Sequence, residues 1–487
     1  MKRRQFLIQS SLAAMTAIAF HQLPSQSTPI YKQYKSYKSW KSNNIFLQGI
    51  NAPVFEEVEI TNLKISGNIP KELEGMYVRN GPNPMFKPES YSYPIEGDGM
   101  LHGVYFNKGE VSYKNRWIQT SGLAYEMFEG QQLTELKFKN YANTNIISHG
   151  NKLLALYEIG LPYEVNKNLE TIGEWDFNHE LEQAMTAHPK IDPNTGELHF
   201  YRYSFFNTPY LHYYVADRNH NIIRELAIDI PQPTMIHDMA ITENYIIFFN
   251  CPLVFSMTNA RNNSIPFVWQ EEEGTTIILV DRHNFAKKPI YLKTDAFWTW
   301  HFLNSFETDN QIFIDFIAYP KIQAENNWET MLTHKSNLRR LTINLQTHGM
   351  EFEDLDDRFV ELPAINQNYL GKNYQFGYTS YYDIELSSRK KIPNLSPSLV
   401  QYDLVKKTNK IHQFKPGCYG GEAAFIPSTK GQSELDGYVV TFVYNENTNT
   451  SDFVIIDPKN FESDPIATVH LPVRVPGGFH GNWIANL

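Results

Sequence analysis

Cysteine is almost absent: Cys251 and Cys418 are the only two in 487 residues, and they stand in no C-x-x-C arrangement. That excludes a disulfide framework as the source of stability and leaves no thiolate set for a metal. A basic excess is missing too. The formal net charge of −10 leaves nothing to neutralise a phosphate backbone, so nucleic acid is excluded as a partner. No apolar run comfortably reaches the roughly 20 residues of a membrane-spanning helix. Phosphate-binding loops, dinucleotide fingerprints and nucleophile elbows do not occur. His179-Glu180-Leu181-Glu182-Gln183 carries Gln183 where a zinc-protease helix needs its second histidine. Histidine, by contrast, is plentiful at 16, and aromatics reach 14%. Any metal here would be held by imidazole, with or without carboxylates.

From about Asn51 onward the chain reads as strands. Gly75–Arg79, Lys152–Tyr157, Leu198–Tyr203, Tyr245–Phe249, Thr276–Val280, Gln311–Asp315, Gly437–Val443 and Phe453–Asp457 are short and rich in β-branched or aromatic residues. Gly, Asn, Asp or Pro bound them, as in the turn Ile191–Gly196. Helical periodicity is confined to small pieces, Glu180–Ala187 and Asn326–Thr333. The absence of strand–helix alternation makes this an all-β array, spanning 51–487 as one domain. A radial stack of four-stranded sheets needs about 40–50 residues per blade, so seven blades with long insertions fit the length. Two packed sandwiches fit as well.

Four of the histidines have unusual surroundings. They are His188 in Met185-Thr186-Ala187-His188-Pro189, His237 in Met235-Ile236-His237-Asp238-Met239, His301 in Trp300-His301-Phe302-Leu303-Asn304, and His480 in Gly477-Gly478-Phe479-His480-Gly481. Apolar or small neighbours are poor company for a solvated imidazole. Successive separations of 49, 64 and 179 residues suit steps of one, one and about three blades. Equivalent positions on different blades converge on a propeller axis, so these four could meet there. Asp238 follows His237 directly, but the spacing does not suit a ligand pair, and it is left without a role.

These four contexts resemble the ligand motifs of the carotenoid cleavage oxygenase family, and further stretches match in family order. Arg79-Asn80-Gly81-Pro82-Asn83-Pro84, Glu96-Gly97-Asp98-Gly99-Met100-Leu101-His102 and Ala142-Asn143-Thr144-Asn145 are similar to its early hallmarks. The resemblance runs from about residue 56 to the C-terminus and implies a seven-bladed β-propeller with capping loops and short helices over the iron face. It implies one Fe(2+) per chain held by His188, His237, His301 and His480, with no carboxylate among the ligands. It implies that Glu158, Glu361 and Glu422 support those imidazoles, since a ligating histidine normally donates its other N–H to a carboxylate or carbonyl. His102 is expected to be structural. No general acid or base is expected beyond the metal centre.

The implied reaction is oxidative cleavage of a conjugated C=C bond of a carotenoid or apocarotenoid with O2, giving aldehydes. A stilbene-cleaving member of the same family is the nearest alternative, and a catalytically silent lipid- or protein-binding propeller the next. An apolar polyene is positioned by a dry aromatic tunnel, and Tyr157, Phe297, Trp298, Trp300 and Phe302 are the candidates. Family members usually load such a substrate through an apolar patch in contact with a membrane, for which Cys251–Met257 is the candidate segment.

Residues 1–19 read as an address. Arg3 and Arg4 precede Phe6-Leu7, a weakly apolar run follows, and Ala17-Ile18-Ala19 forms a small-residue cleavage pattern. Residues 20–50 are expected to be a lead-in with little structure. This pattern predicts export by a twin-arginine-type route to a periplasm or equivalent lumen, with membrane association there; a cytoplasmic protein is the alternative. Replacing Arg3 and Arg4 together by Lys should leave full-length protein in the cytoplasm, as read by fractionation and N-terminal mass. An unchanged location would mean that the segment is an arm of the fold.

Overall fold

Short strands joined by tight turns pair with their sequence neighbours, because a parallel crossover needs a dozen or more connecting residues. The computed structural model describes residues 40–89, 91, 96–132, 139–261, 265–322 and 335–485. Its antiparallel meanders form the seven blades of a β-propeller. The expected strands are all present, within a few residues at either end, as in Gly75–Pro82, Lys152–Leu156, Leu198–Tyr203 and Thr275–Asp281.

Along the chain, blade 1 is built on Gly75–Pro82, Gly99–Asn107 and Glu110–Trp117, and blade 2 runs from Asn145–His149 to Thr171–Glu174. Blade 3 runs from Lys190–Ile191 to Ile222–Ile228, blade 4 from Ala240–Ile241 to Ile290–Thr294, and blade 5 from Trp298–Thr308 to Met350–Asp356. Blade 6 runs from Val360–Ala364 to Thr408–Gln413, and blade 7 from Cys418–Gly420 to Ala467–Leu471. Burial follows position in the blade. Ile222–Ile228, an outermost strand, alternates between more and less exposed residues, whereas Gln311–Tyr319 is buried almost throughout.

Two overlaps close the ring. Gly481–Ala485 returns to pair with Gly75–Pro82 as the innermost strand of blade 1. Lys64–Gly67 adds an outermost strand to blade 7 by pairing with Ala467–Leu471. A side-chain relay pins the second overlap: Asp452 Oδ1 lies 2.8 Å from His470 Nδ1, and His470 Nε2 lies 2.8 Å from Ser66 Oγ.

Strand direction alternates across each blade. All connections between second and third strands, and from each outermost strand to the next blade, therefore leave the same end as the start of the innermost strand. The helices Ser121–Glu129, Met257–Arg261 and Ile384–Lys390 sit on such connections, as does the hairpin Leu253–Phe255/Phe267–Trp269.

Two expectations need correction. Glu180–Ala187 is not helical: Met185 bridges to Gly160 and the Thr186 N–H donates to the Tyr201 carbonyl, so the segment is drawn out against blades 2 and 3. Its 3.6-residue spacing of apolar groups reflects burial against two sheets. The end of the 20–50 lead-in is also structured. Ile45–Leu47 and Gly49–Asn51 form 3-10 turns, Phe46 and Leu47 are buried, and the Arg474 guanidinium donates to the carbonyls of Ile50, Ala52 and Pro53. Residues 1–39 and the expected helix Asn326–Thr333 lie outside the described residues. Among the described residues no helix is long and apolar enough to cross a membrane.

Candidate metal centre

The start of each innermost strand points a short stretch of chain at the propeller axis. His188 precedes Lys190–Ile191, His237 precedes Ala240–Ile241, His301 lies within Trp298–Thr308, and His480 precedes the closing strand Gly481–Ala485. Blades 6 and 7 offer Glu361 and Glu422 at the corresponding places, and blade 2 offers Asn145. Four imidazoles and two carboxylates from one structural position thus surround one axis.

The imidazoles converge. The ring centroid of His188 lies 4.3 Å from that of His237, 4.7 Å from His480 and 5.2 Å from His301, and His301 lies 5.0 Å from His480. One nitrogen each from His188, His237 and His301 fall within 4.8 Å of one another. The nitrogens that meet are Nε2: those of His188 and His237 are 2.8 Å apart, and that of His301 is buried with no hydrogen-bond partner. An orphaned, buried ring nitrogen beside two others fits a set of metal ligands. All-imidazole donors suit a borderline transition metal such as iron, copper or zinc.

The opposite ring nitrogens are held by carboxylates. His237 Nδ1 lies 3.0 Å from Glu158 Oε1, His301 Nδ1 2.6 Å from Glu361 Oε2, and His480 Nδ1 2.7 Å from Glu422 Oε1. Each contact keeps the proton on Nδ1 and turns the Nε2 lone pair inward. The pairing, not readable from sequence, is thereby fixed, and among the described residues His188 is the one of the four imidazoles with no carboxylate on its ring. Glu361 also accepts from the Leu362 N–H at 2.6 Å and from the Tyr319 hydroxyl at 3.0 Å. Burial would raise its pKa, but His301 and these donors outweigh burial and hold it below the usual carboxylate range. Glu422 accepts from the Gly481 N–H at 2.7 Å.

Burial, reinforced by the facing imidazoles, pushes His188 well below the ordinary histidine range. Burial also lowers His301, even with Glu361 opposing it. At His237 burial works downward, but Glu158 overrides it and the net shift is upward. A more basic Nε2 is a better metal ligand.

The hallmark motifs hold the backbones of these histidines. Asn80 exchanges backbone hydrogen bonds with the Phe479–His480 segment, and its side chain donates to the carbonyls of Ala142 and Asn145. Asn145 in turn donates to the carbonyl of Ala187, the residue before His188. His102 is structural as expected, with Nδ1 2.7 Å from the Tyr113 hydroxyl. Tyr319 was missed, because nothing in its local sequence ties it to a glutamate 42 residues away.

The aromatic candidates divide. Trp300 stands edge-on to His237 at 4.7 Å, with Trp298 behind it at 4.9 Å, and Tyr157 packs on Tyr141 at 5.7 Å. Phe297 and Phe302 pack instead on Phe249 and Phe316 in the core between blades 4 and 5. Nearness to His301 in sequence carried neither to the site: Phe302 stands in a ladder whose register slips on both sides of it, and Phe297 precedes the strand. The segment Cys251–Met257 is mostly interior: Cys251, Leu253 and Val254 are buried. Exposed apolar surface nearby comes from Met257 at 43% and Phe206 at 53%.

Comparison with known proteins gives a consistent pattern. The family described as retinal pigment epithelial membrane protein matches residues 51–485. A carotenoid cleavage oxygenase of Mycobacterium tuberculosis is 28% identical, over 91% of this chain and 98% of its own. An isoeugenol monooxygenase of Pseudomonas nitroreducens is 30% identical over the same shares. Among solved structures, the Pseudomonas brassicacearum lignostilbene dioxygenase is similar with a TM-score of 0.85 and 27% identity, covering 92% of this chain and 100% of that one. The cobalt-substituted apocarotenoid oxygenase of Synechocystis has a TM-score of 0.80 and 26% identity, covering 88% and 96%.

If the four imidazoles form one site, purified protein should bind one divalent transition-metal ion per chain, and His237→Ala should abolish tight binding. Glu158→Gln, Glu361→Gln and Glu422→Gln should each weaken it by about 10–100-fold, the usual cost of losing a ligand's hydrogen-bond partner. Metal analysis and competition with a chromogenic chelator read both effects.

Proposed function

The chain belongs to the retinal pigment epithelial membrane protein family of carotenoid cleavage oxygenases, and from that premise we propose that it uses Fe(2+) and O2 to cleave a conjugated C=C bond of a carotenoid or apocarotenoid. The observation that carries the reading is the convergence of four imidazoles, three of them backed by glutamates, on the propeller axis. Cleavage of one C=C by one O2 yields two carbonyl groups, so both oxygen atoms are accounted for and no further reductant is required.

His188, His237, His301 and His480 would hold the iron, which when bound supplies the redox chemistry with O2 that no side chain can provide. The chain's own work is positional. Glu158, Glu361 and Glu422 hold protons at Nδ1 of three histidines, keeping their Nε2 lone pairs available and their rings fixed. Four neutral ligands bring no charge of their own, so an iron here would retain its full positive charge. Trp300 covers one side of His237, where its indole excludes water and offers a flat apolar face to a polyene. A substrate without charge gains orientation from such surfaces alone.

Loading of an apolar substrate points to contact with a lipid surface. Phe206 and Met257 expose apolar side chains on connections at the ligand-bearing end, and Phe205 and Phe255 stack beneath them at 4.7 Å. Replacing Phe206 and Met257 together by Ser should reduce co-sedimentation with neutral lipid vesicles. Equal sedimentation of both proteins would remove this patch from the reading.

A second reading, cleavage of a stilbene or related phenylpropenoid, is supported by the likeness to the lignostilbene dioxygenase and the isoeugenol enzyme. Such a substrate carries a phenol that needs a polar partner. Incubation of iron-loaded protein with a panel of carotenoids, apocarotenals, stilbenes and isoeugenol separates the two. Aldehydes from polyenes alone support the first reading, and benzaldehydes from the aryl alkenes alone would replace it with the second. No product from any of them, in protein with iron bound, would leave a non-catalytic propeller.

A further inference from the structure

Asp238 follows His237 directly and is not directed at the ring nitrogens, yet it is one of the most heavily used carboxylates near the axis. Its side chain is 3% exposed. Oδ1 lies 2.8 Å from the Lys190 ammonium and accepts from the Met239 N–H at 2.7 Å; Oδ2 accepts from the Phe302 N–H at 3.0 Å. These three partners stand two residues after His188, two after His237 and one after His301. A single carboxylate therefore joins the innermost strands of blades 3, 4 and 5, each within two residues of an imidazole.

The contact with Phe302 has a particular setting. The ladder between Trp298–Thr308 and Gln311–Tyr319 slips between Thr299 and Phe302, and again between Phe302 and Asn304. Such irregularities re-aim a side chain, and they leave backbone groups out of the regular pairing. A buried N–H left without an acceptor is costly, and here Asp238 supplies the acceptor. The slip that presents His301 to the axis is thus stabilised by the residue next to His237.

We propose that Asp238 is a positioning residue for the metal centre, setting the mutual placement of His188, His237 and His301 by clamping their three strands. The inference rests on the four-histidine reading above. It also distinguishes Asp238 from an ordinary inter-blade tie. Asp192 and Arg282 join blades 3 and 4 as well, but their contacts run to His199 and to the Thr242 and Glu243 carbonyls, away from the ligands.

Asn at 238 keeps the size but not the chemistry. Its amide would set a donor against either Lys190 or the Phe302 N–H. In Co(II)-loaded protein, Asp238→Asn should shift the visible ligand-field bands and weaken metal binding by about 10–100-fold. Lys190→Met, which removes only one of the three partners, should shift both in the same direction but less. Asp192→Asn should lower the melting temperature while leaving spectrum and affinity unchanged. Wild-type affinity and bands in both Asp238→Asn and Lys190→Met would overturn the proposal, as would equal spectral shifts in Asp192→Asn. If Asp238→Asn does not fold, Lys190→Met decides alone. A wild-type chain that takes up no divalent metal would instead overturn the four-histidine reading itself.

Discussion

An imidazole has one proton to place when neutral, and it can offer a lone pair at Nε2 only if that proton stays on Nδ1. The proposed centre depends on this constraint more than on any other. Three carboxylates meet it, and two of them are themselves held: Glu361 by a backbone N–H and the Tyr319 hydroxyl, Glu422 by the Gly481 N–H. A buried carboxylate without such donors would take up a proton and release the histidine. The polar network is therefore satisfied from the outside inward, and the apolar packing around it keeps water from competing.

The propeller makes this economical. Seven innermost strands begin around one axis, so a single structural position, repeated, supplies His480, Asn145, His188, His237, His301, Glu361 and Glu422 in ring order. Residues far apart in the chain need no long-range device to meet. They need only to stand at the start of an innermost strand. His301 and Glu361 sit on adjacent blades, as do Glu422 and His480, which explains two of the three carboxylate contacts by neighbourhood. Glu158 differs, reaching His237 from the connection after the second strand of blade 2.

Much of this was legible in the sequence, for uneven reasons. The strands were legible because β-branched and aromatic runs between turn residues are a local signal, and Leu198–Tyr203 was read to the residue. The four histidines stood out by their apolar neighbours, but their assembly into one site came from family likeness, since spacing alone could only permit it. Which glutamate serves which histidine depends on blade geometry and left no trace in the chain. Nearness to His301 in sequence makes Phe297 and Phe302 candidates, although their contacts run to Phe249 and Phe316 in the core. Asp238 has no role legible in the sequence because its spacing from His237 suits no local pair, and two of its three partners lie on other blades.

The ring has a seam, and one of the four histidines lies on it. Gly481–Ala485 is held to Gly75–Pro82 by backbone pairing, and His480 immediately precedes that strand. Considered mechanically, peeling the seam strips one strand, the innermost, from blade 1 and leaves the other six blades whole. Tension that separates these two strands withdraws His480 and leaves three imidazoles behind. Conversely, anything bound by all four would rivet the seam from the inside, adding coordinate bonds to the backbone pairing and to the packing of Trp483 and Ile484. An occupied centre would then also be a fastener for this overlap.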